Sequence, residues 1–118
     1  MDVDVVLRWA GMPKSAKILK CRELGYNPEA VFPKYTEDLK FCIRSVCKNM
    51  PWFRKIFLLL DDDEALPPWL MTETMEGRLV VVRHSSFIPA KFLPTWNSHV
   101  IDSWIHRVPG LGERFVAL

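Results

Sequence analysis

The chain is predicted to fold as an α/β domain of three layers around a mostly parallel sheet. Two observations carry that expectation. Short β-branched or apolar runs alternate with segments of helical periodicity, in the order strand, helix, strand, short helix, strand, helix, strand. The central run, Lys55 to Leu60 (KIFLLL), is apolar on both sides of the strand repeat, as befits a strand covered on both faces of a parallel sheet.

Asp2 to Trp9 (DVDVVLRW) is β-branched and reads as the first strand. Gly11 and Pro13 make Ala10 to Lys14 a loop, and Ser15 to Leu24 a short helix ended by Gly25. Pro28 and Pro33 make Tyr26 to Tyr35 an irregular connection. The next helix has Thr36 as its cap and Glu37 and Asp38 in its first turn, where the backbone dipole favours negative charge. Its apolar stripe is Leu39, Ile43, Val46 and Met50, and Pro51 stops it. After the strand at Lys55 to Leu60 comes the acidic stretch Asp61 to Glu64, and Pro67-Pro68 opens a short helical piece around Trp69 and Leu70. Arg78 to Arg83 (RLVVVR) is the third strand. The loop His84 to Pro94 leads to a last helix capped by Thr95 or Asn97, and Glu113 to Leu118 begins the fourth strand.

With 118 residues, residues 1–118 form one domain, large enough for a core. Hydrophobic content of 49% and charged content of 25% are those of a globular chain. A net charge of +2 without any Lys/Arg block argues against nucleic acid as a partner. The longest apolar run, Ile56 to Leu60, is too short to cross a bilayer, no signal-peptide pattern opens the sequence, and no compartment is assigned. Cys21, Cys42 and Cys47 lack metal-type spacing and read as three reduced, mostly buried thiols. An uncovered edge at the fourth strand would favour pairing with another segment or chain, so self-association through it is an expectation.

The segment Pro94 to Val116 carries the chemistry. At about 100° per residue, a helix there sets His99, Asp102 and His106 within about 60° of one another, with Val100, Ile101, Trp104, Ile105 and Val108 opposite. A carboxylate one turn from an imidazole can orient it and raise its pKa for acid–base work. The alternatives are a wet polar helix face or a small metal module of His99, Asp102 and His106. Asn97, Ser98 and His99 would open that helix, where an anion or a sugar hydroxyl can sit, or simply cap it. Arg44, opposite the apolar stripe of its helix and next to Ser45, is a phosphate ligand or a solvated arginine. Arg107 can pair with a phosphate or with a carboxylate. Asp61, Asp62, Asp63 and Glu64 invite comparison with a D-x-D metal motif, although a solvated acidic turn is the preferred reading. His84 ends the third strand near the expected cleft. Trp52, Trp69 and Trp96 read as core or loop anchors more readily than as sugar platforms.

Several pieces together resemble the second conserved region of the Stealth proteins, across residues 39–116: LKFCIRSVCKNMPWFRKIFLL, PPWL, RLVVVRHSSFIP and LPTWNSHVIDSWIHRVPGLGERFV. The opening DVDVVLRW, residues 2–9, resembles a degenerate first conserved region. Stealth proteins are hexose-1-phosphate transferases that include bacterial capsule polymerases and the alpha/beta subunit of lysosomal N-acetylglucosamine-1-phosphotransferase. The resemblance implies a glycosyltransferase-A-like, Rossmann-like partial domain, incomplete at its C-terminal side. It implies a nucleotide-sugar donor such as UDP-N-acetylglucosamine, a glycan acceptor hydroxyl and a divalent metal, Mg or Mn. It implies His99, Asp102 and His106 as catalytic residues, and Arg44, Ser45, His84, Asn97, Ser98 and Arg107 as substrate-binding residues. The family's Asp/Asn-Gly-Ser-Asp after the first strand is Gly11-Met12-Pro13-Lys14 here, its usual Glu is Asp102, and its Asn-Asp-Asp motif would follow Leu118. Those departures keep a second expectation open, a non-catalytic homologue that retains the fold and binds a ligand or partner.

Overall fold

The computed structural model describes residues 2–9, 15–28, 38–62, 64, 66, 69–70, 77–95 and 97–118. Four strands, β1 (Val3–Arg8), β2 (Phe53–Leu60), β3 (Leu79–Arg83) and β4 (Phe115–Ala117), form one sheet in the order β3-β2-β1-β4. Every pairing is parallel. Three α-helices are described: α1 (Ser15–Glu23), α2 (Asp38–Asn49) and α3 (Ser98–Ser103). One-turn 3-10 segments follow β3 (His84–Ser86), the next loop (Ala90–Phe92) and α3 (Ile105–Arg107).

The strand repeat sorts the core into two clusters, which makes the three layers. Val5, Leu7, Ile56, Leu58, Leu60 and Leu79 pack with Leu39, Ile43 and Val46 of α2. Val6, Phe57, Leu59 and Val82 pack on the other face with Ile101 of α3, Ile105 and Val108. All five residues from Ile56 to Leu60 are at most 1% exposed, so β2 contributes about 1.5–3 kcal/mol per side chain from both faces at once. That is the physical content of its unbroken apolar run.

The chain moves from β1 to β2 to β3 in one direction and then returns across the sheet to place β4 on the far side of β1. The strand order therefore reverses between β1 and β4. In such a sheet the carboxyl ends of the strands flanking that reversal open a crevice, bounded here by Arg8 and Ala117. Among the described residues β4 is an edge strand, with Phe115 and Leu118 exposed.

At the opposite end of the sheet, Asp4 is 1% exposed and accepts three hydrogen bonds. Arg54 Nε donates to Oδ1 (2.8 Å), and Arg54 Nη2 and the Gly112 backbone N–H each donate to Oδ2 (2.7 Å). Arg54 Nη2 also donates to the Gly110 carbonyl (2.9 Å). The register between β1 and β2 shifts between Val3 and Val5, where Asp4 turns inward. This ion pair joins the start of β1, the start of β2 and the approach to β4. Arg78 closes the same end, with its guanidinium carbon 3.7 Å from the Phe53 ring centre and its nitrogens donating to the Pro51, Phe53 and Arg54 carbonyls.

The four expected strands and the first two helices fall where the sequence places them, with ends shifted by one or two residues, whereas the last helix ends early, at Ser103, and no helix is described at Trp69 and Leu70. Gly25, at φ +83°, ends α1: Tyr26 N–H bonds the Cys21 carbonyl and Gly25 N–H the Arg22 carbonyl. The expected cap at Thr36 and the Pro67-Pro68 pair lie outside the described residues; Trp69 sits in a turn. Trp52 is no core anchor: it is 53% exposed in the turn before β2. Of the three thiols only Cys21 is buried, whereas Cys47 is exposed because its position on α2 faces away from the stripe. No described helix is long and apolar enough to cross a membrane.

Candidate functional site

The strand order reverses between β1 and β4, and the carboxyl ends of strands at such a reversal are where parallel α/β sheets bind ligands. Arg8 is the last residue of β1 and pairs in register with Leu59, which faces α3. Its side chain reaches that layer: Arg8 Nη1 stands 3.3 Å from Asp102 Oδ2. The pair is half-open, with side-chain exposures of 33% and 44%. A guanidinium with one contact keeps several N–H groups for a ligand. The sequence reading did not single out Arg8. Its signal was available, as the single cation of β1, closing the apolar run Val5 to Leu7.

The histidine face is only partly continuous. α3 has six residues and ends at Ser103, and the chain then turns at Trp104 into the 3-10 segment Ile105–Arg107. His99, Asp102 and His106 are all exposed, while Ile101, Ile105 and Val108 are buried as expected. The break redirects His106, which stacks on Trp104 at 6.0 Å and 23°. Arg107 also stands over Trp104, its guanidinium carbon 5.6 Å from the ring centre. Asp102 is engaged by Arg8. The three side chains do not form a metal group, and none of three or more His, Cys, Asp or Glu occurs among the described residues. The small metal module is therefore set aside.

Of the two expected caps, Asn97 is the N-cap of α3, and Thr95 holds the turn before it. Thr95 Oγ1 accepts from Asn97 N–H (3.2 Å), and Asn97 Oδ1 accepts from His99 N–H (2.9 Å). Ser103 Oγ then donates to the His99 carbonyl (2.7 Å). With His99 N–H already satisfied, Asn97 performs the capping reading. Asn97 and Ser98 remain exposed beside His99.

Arg44 and Ser45 are exposed on α2, which covers the opposite face of the sheet from α3. Ser45 Oγ accepts from Asn49 Nδ2 at 3.2 Å. Nothing described brings this pair to the α3 residues. His84 is 5% exposed and lies edge-on to Phe87, with ring centres 6.1 Å apart. Its carbonyl accepts from Phe87 and Ile88 N–H groups, so it holds the loop after β3 from beneath.

The acidic stretch after β2 is more structured than a solvated turn. Glu64 is 5% exposed, Arg83 Nη1 donates to the Asp61 carbonyl (2.9 Å) and to the Glu64 carbonyl, and Asp62 Oδ1 accepts from Ser85 N–H (3.0 Å). These bonds lash the ends of β2 and β3 together. Asp63 lies outside the described residues. Among the described residues Asp61, Asp62 and Glu64 do not form a group able to hold a Mg or Mn ion, so the stretch does not fit one.

Comparison with known proteins identifies a family and relatives for this chain. The family described as "Stealth protein CR2, conserved region 2" matches residues 33–118. A capsular polysaccharide phosphotransferase of Actinobacillus pleuropneumoniae is 32% identical over 98% of this chain and 33% of its own length. A capsular polysaccharide phosphotransferase of Neisseria meningitidis serogroup B is 39% identical over 67% of this chain and 20% of its own. An exopolysaccharide phosphotransferase of Streptomyces coelicolor is 41% identical over 76% of this chain and 9% of its own. The chain thus spans a third or less of the length of these relatives.

Proposed function

The chain belongs to the Stealth protein family, and on that premise we propose that it forms the donor-binding part of a sugar-phosphate transferase whose cleft lies at the carboxyl ends of β1 and β4. The donor is a nucleoside-diphosphate sugar such as UDP-N-acetylglucosamine, and the acceptor is a hydroxyl on a glycan. The observation that carries this reading is the Arg8–Asp102 pair, which sets a partly free guanidinium over the strand-order reversal.

In the proposed step the acceptor oxygen attacks the phosphorus attached to the sugar. A new P–O bond forms, the P–O bond to the nucleoside phosphate breaks, and UMP leaves with that electron pair. The acceptor proton passes to a base. Negative charge spreads over the phosphoryl oxygens, so oriented N–H donors lower the barrier most. Arg8 supplies such donors, and Asp102 holds its guanidinium in place. His99, exposed one turn before Asp102, is the imidazole available to take the proton. Arg44 and Ser45, on the other face, are left out of this cleft.

The test is release of UMP from UDP-N-acetylglucosamine by the full-length protein in the presence of a glycan acceptor. Asp102→Asn and His99→Ala should each lower the rate by about a hundredfold while leaving the unfolding midpoint unchanged. Unaltered rates in both would remove this cleft from the chemistry. Donor binding without any turnover by the wild type would leave the binding-homologue reading in its place.

A further inference from the structure

The outer surface of the α3 layer carries an aromatic and cationic strip that the proposed transfer step does not use. Trp104, half-buried between α3 and the following turn, anchors it. Phe92 lies 5.8 Å from the Trp104 ring at 35°, His106 stacks at 6.0 Å and 23°, and the Arg107 guanidinium carbon is 5.6 Å from the ring centre. Lys91 Nζ in turn stands 5.1 Å from the centre of the Phe92 ring. Phe92 is 43% exposed, and Lys91, His106 and Arg107 are exposed as well. Buried Ile101, Ile105 and Val108 fix the turn from beneath, and the attraction of a cation to an aromatic face restrains Lys91 and Arg107. The strip is thus held in shape before any ligand arrives.

Its charge has one sign. Between Phe87 and Arg107 the only acidic residue is Asp102, and Arg8 pairs with it. The complementary ligand follows from the product of the proposed reaction. Each transfer joins donor sugar and acceptor through a phosphodiester, which carries one negative charge. A product that serves as the next acceptor alternates sugar rings with anions. We infer that Lys91, Phe92, His106 and Arg107 form a subsite for phosphodiester units already present in the acceptor glycan, apart from the cleft that holds the donor. Phe92 and the His106 ring face the sugars, and Lys91 and Arg107 take the phosphates. This inference rests on the sugar-phosphate transfer proposed above.

Direct titration of the full-length protein tests it without requiring turnover. The probes are a phosphodiester-linked tetramer of N-acetylglucosamine 1-phosphate, the neutral tetrasaccharide chitotetraose and UDP-N-acetylglucosamine. The wild type should bind the phosphodiester tetramer about tenfold tighter than chitotetraose, with a preference that weakens as salt rises. Combined Lys91→Glu and Arg107→Glu should abolish that preference, and Phe92→Ala should weaken both oligomers about fivefold. UDP-N-acetylglucosamine affinity should be retained in all variants. Equal binding of the two oligomers by the wild type, or a preference that survives charge reversal, would overturn the inference. So would parallel loss of donor affinity, because the strip would then be part of the donor cleft. A wild type that ignores UDP-N-acetylglucosamine yet shows the charge-dependent preference would uphold the subsite and defeat the donor reading instead.

Discussion

Replacing Asp4 by asparagine should destabilise the domain by about 3 kcal/mol. The carboxylate is 1% exposed and receives two N–H groups from Arg54 and one from Gly112 at 2.7–2.8 Å. Breaking a buried pair by removing one partner typically costs about 3–5 kcal/mol. The lower end applies because the Arg54 side chain is 32% exposed and water can replace part of what it loses. Urea unfolding followed by tryptophan fluorescence should show a midpoint lower by about 1–3 M for an ordinary denaturant slope. The pH dependence has a definite sign. Burial works against the charged form, but the Arg54 hydrogen bonds, the Gly112 N–H and the Arg54 charge outweigh it and hold the Asp4 carboxyl below its ordinary value. Asp4 therefore binds a proton more readily unfolded than folded. Its contribution is complete above the unfolded value and is lost as pH falls through the folded one. Wild type and Asp4→Asn should converge in stability in strong acid. A variant within about 0.5 kcal/mol of wild type at neutral pH, or a gap independent of pH down to acid unfolding, would refute this account.

Further expectations follow from single contacts. Gly112→Ala puts a methyl group 3.1 Å from Asp4 Oδ2 and should destabilise by about 1–2 kcal/mol in the same urea assay. Arg8→Ala should change unfolding by less than about 1 kcal/mol, since the pair is half-exposed, yet weaken UDP-N-acetylglucosamine binding by about 1.5–3 kcal/mol in a titration, the worth of a charged hydrogen bond. Arg44→Ala, on the opposite face of the sheet, should leave that titration unchanged. Cys47, being exposed, should react with a thiol reagent in the folded protein, whereas buried Cys21 should react only on unfolding. Burial also pushes the Cys42 thiol up, so it should react more slowly than Cys47.

The layers were legible because burial on both faces leaves its mark in composition. Ile56 to Leu60 could be placed at the centre from five letters alone, and Leu39, Ile43 and Val46 announced the face that α2 turns inward. The candidate site was legible in part. The spacing of His99, Asp102 and His106 assumes an unbroken helix, and that assumption fails at Trp104, where no glycine or proline marks the change. The decision there is tertiary: Ile101, Ile105 and Val108 must all reach the sheet, and a 3-10 turn brings the last two down onto it. The structure of the acidic stretch was missed for a similar reason, because the Asp61 and Glu64 carbonyls are bound by Arg83 from 22 and 19 residues away in sequence. The roles of Asp4 and Arg54 needed a pairing across 50 residues, which no local pattern contains.

β1 carries an ion pair at each end, and their physics divides the labour of the strand. At the amino end Asp4 is 1% exposed and accepts hydrogen bonds from Arg54 Nε, Arg54 Nη2 and the Gly112 N–H at 2.7–2.8 Å. At the carboxyl end Arg8 meets Asp102 through one contact of 3.3 Å, with both side chains open to water. The first arrangement has a large penalty for removal, because the Asp4 carboxylate is enclosed and held by Arg54 and Gly112. The second contributes little to folding and keeps unsatisfied donors at the point where the strand order reverses. Mutation should separate them in opposite senses, with stability lost and donor affinity retained per folded molecule at Asp4, and the reverse at Arg8. If Arg8→Ala proved as destabilising as Asp4→Asn, the carboxyl end would be a second structural clamp, and the donor cleft would have to be sought elsewhere.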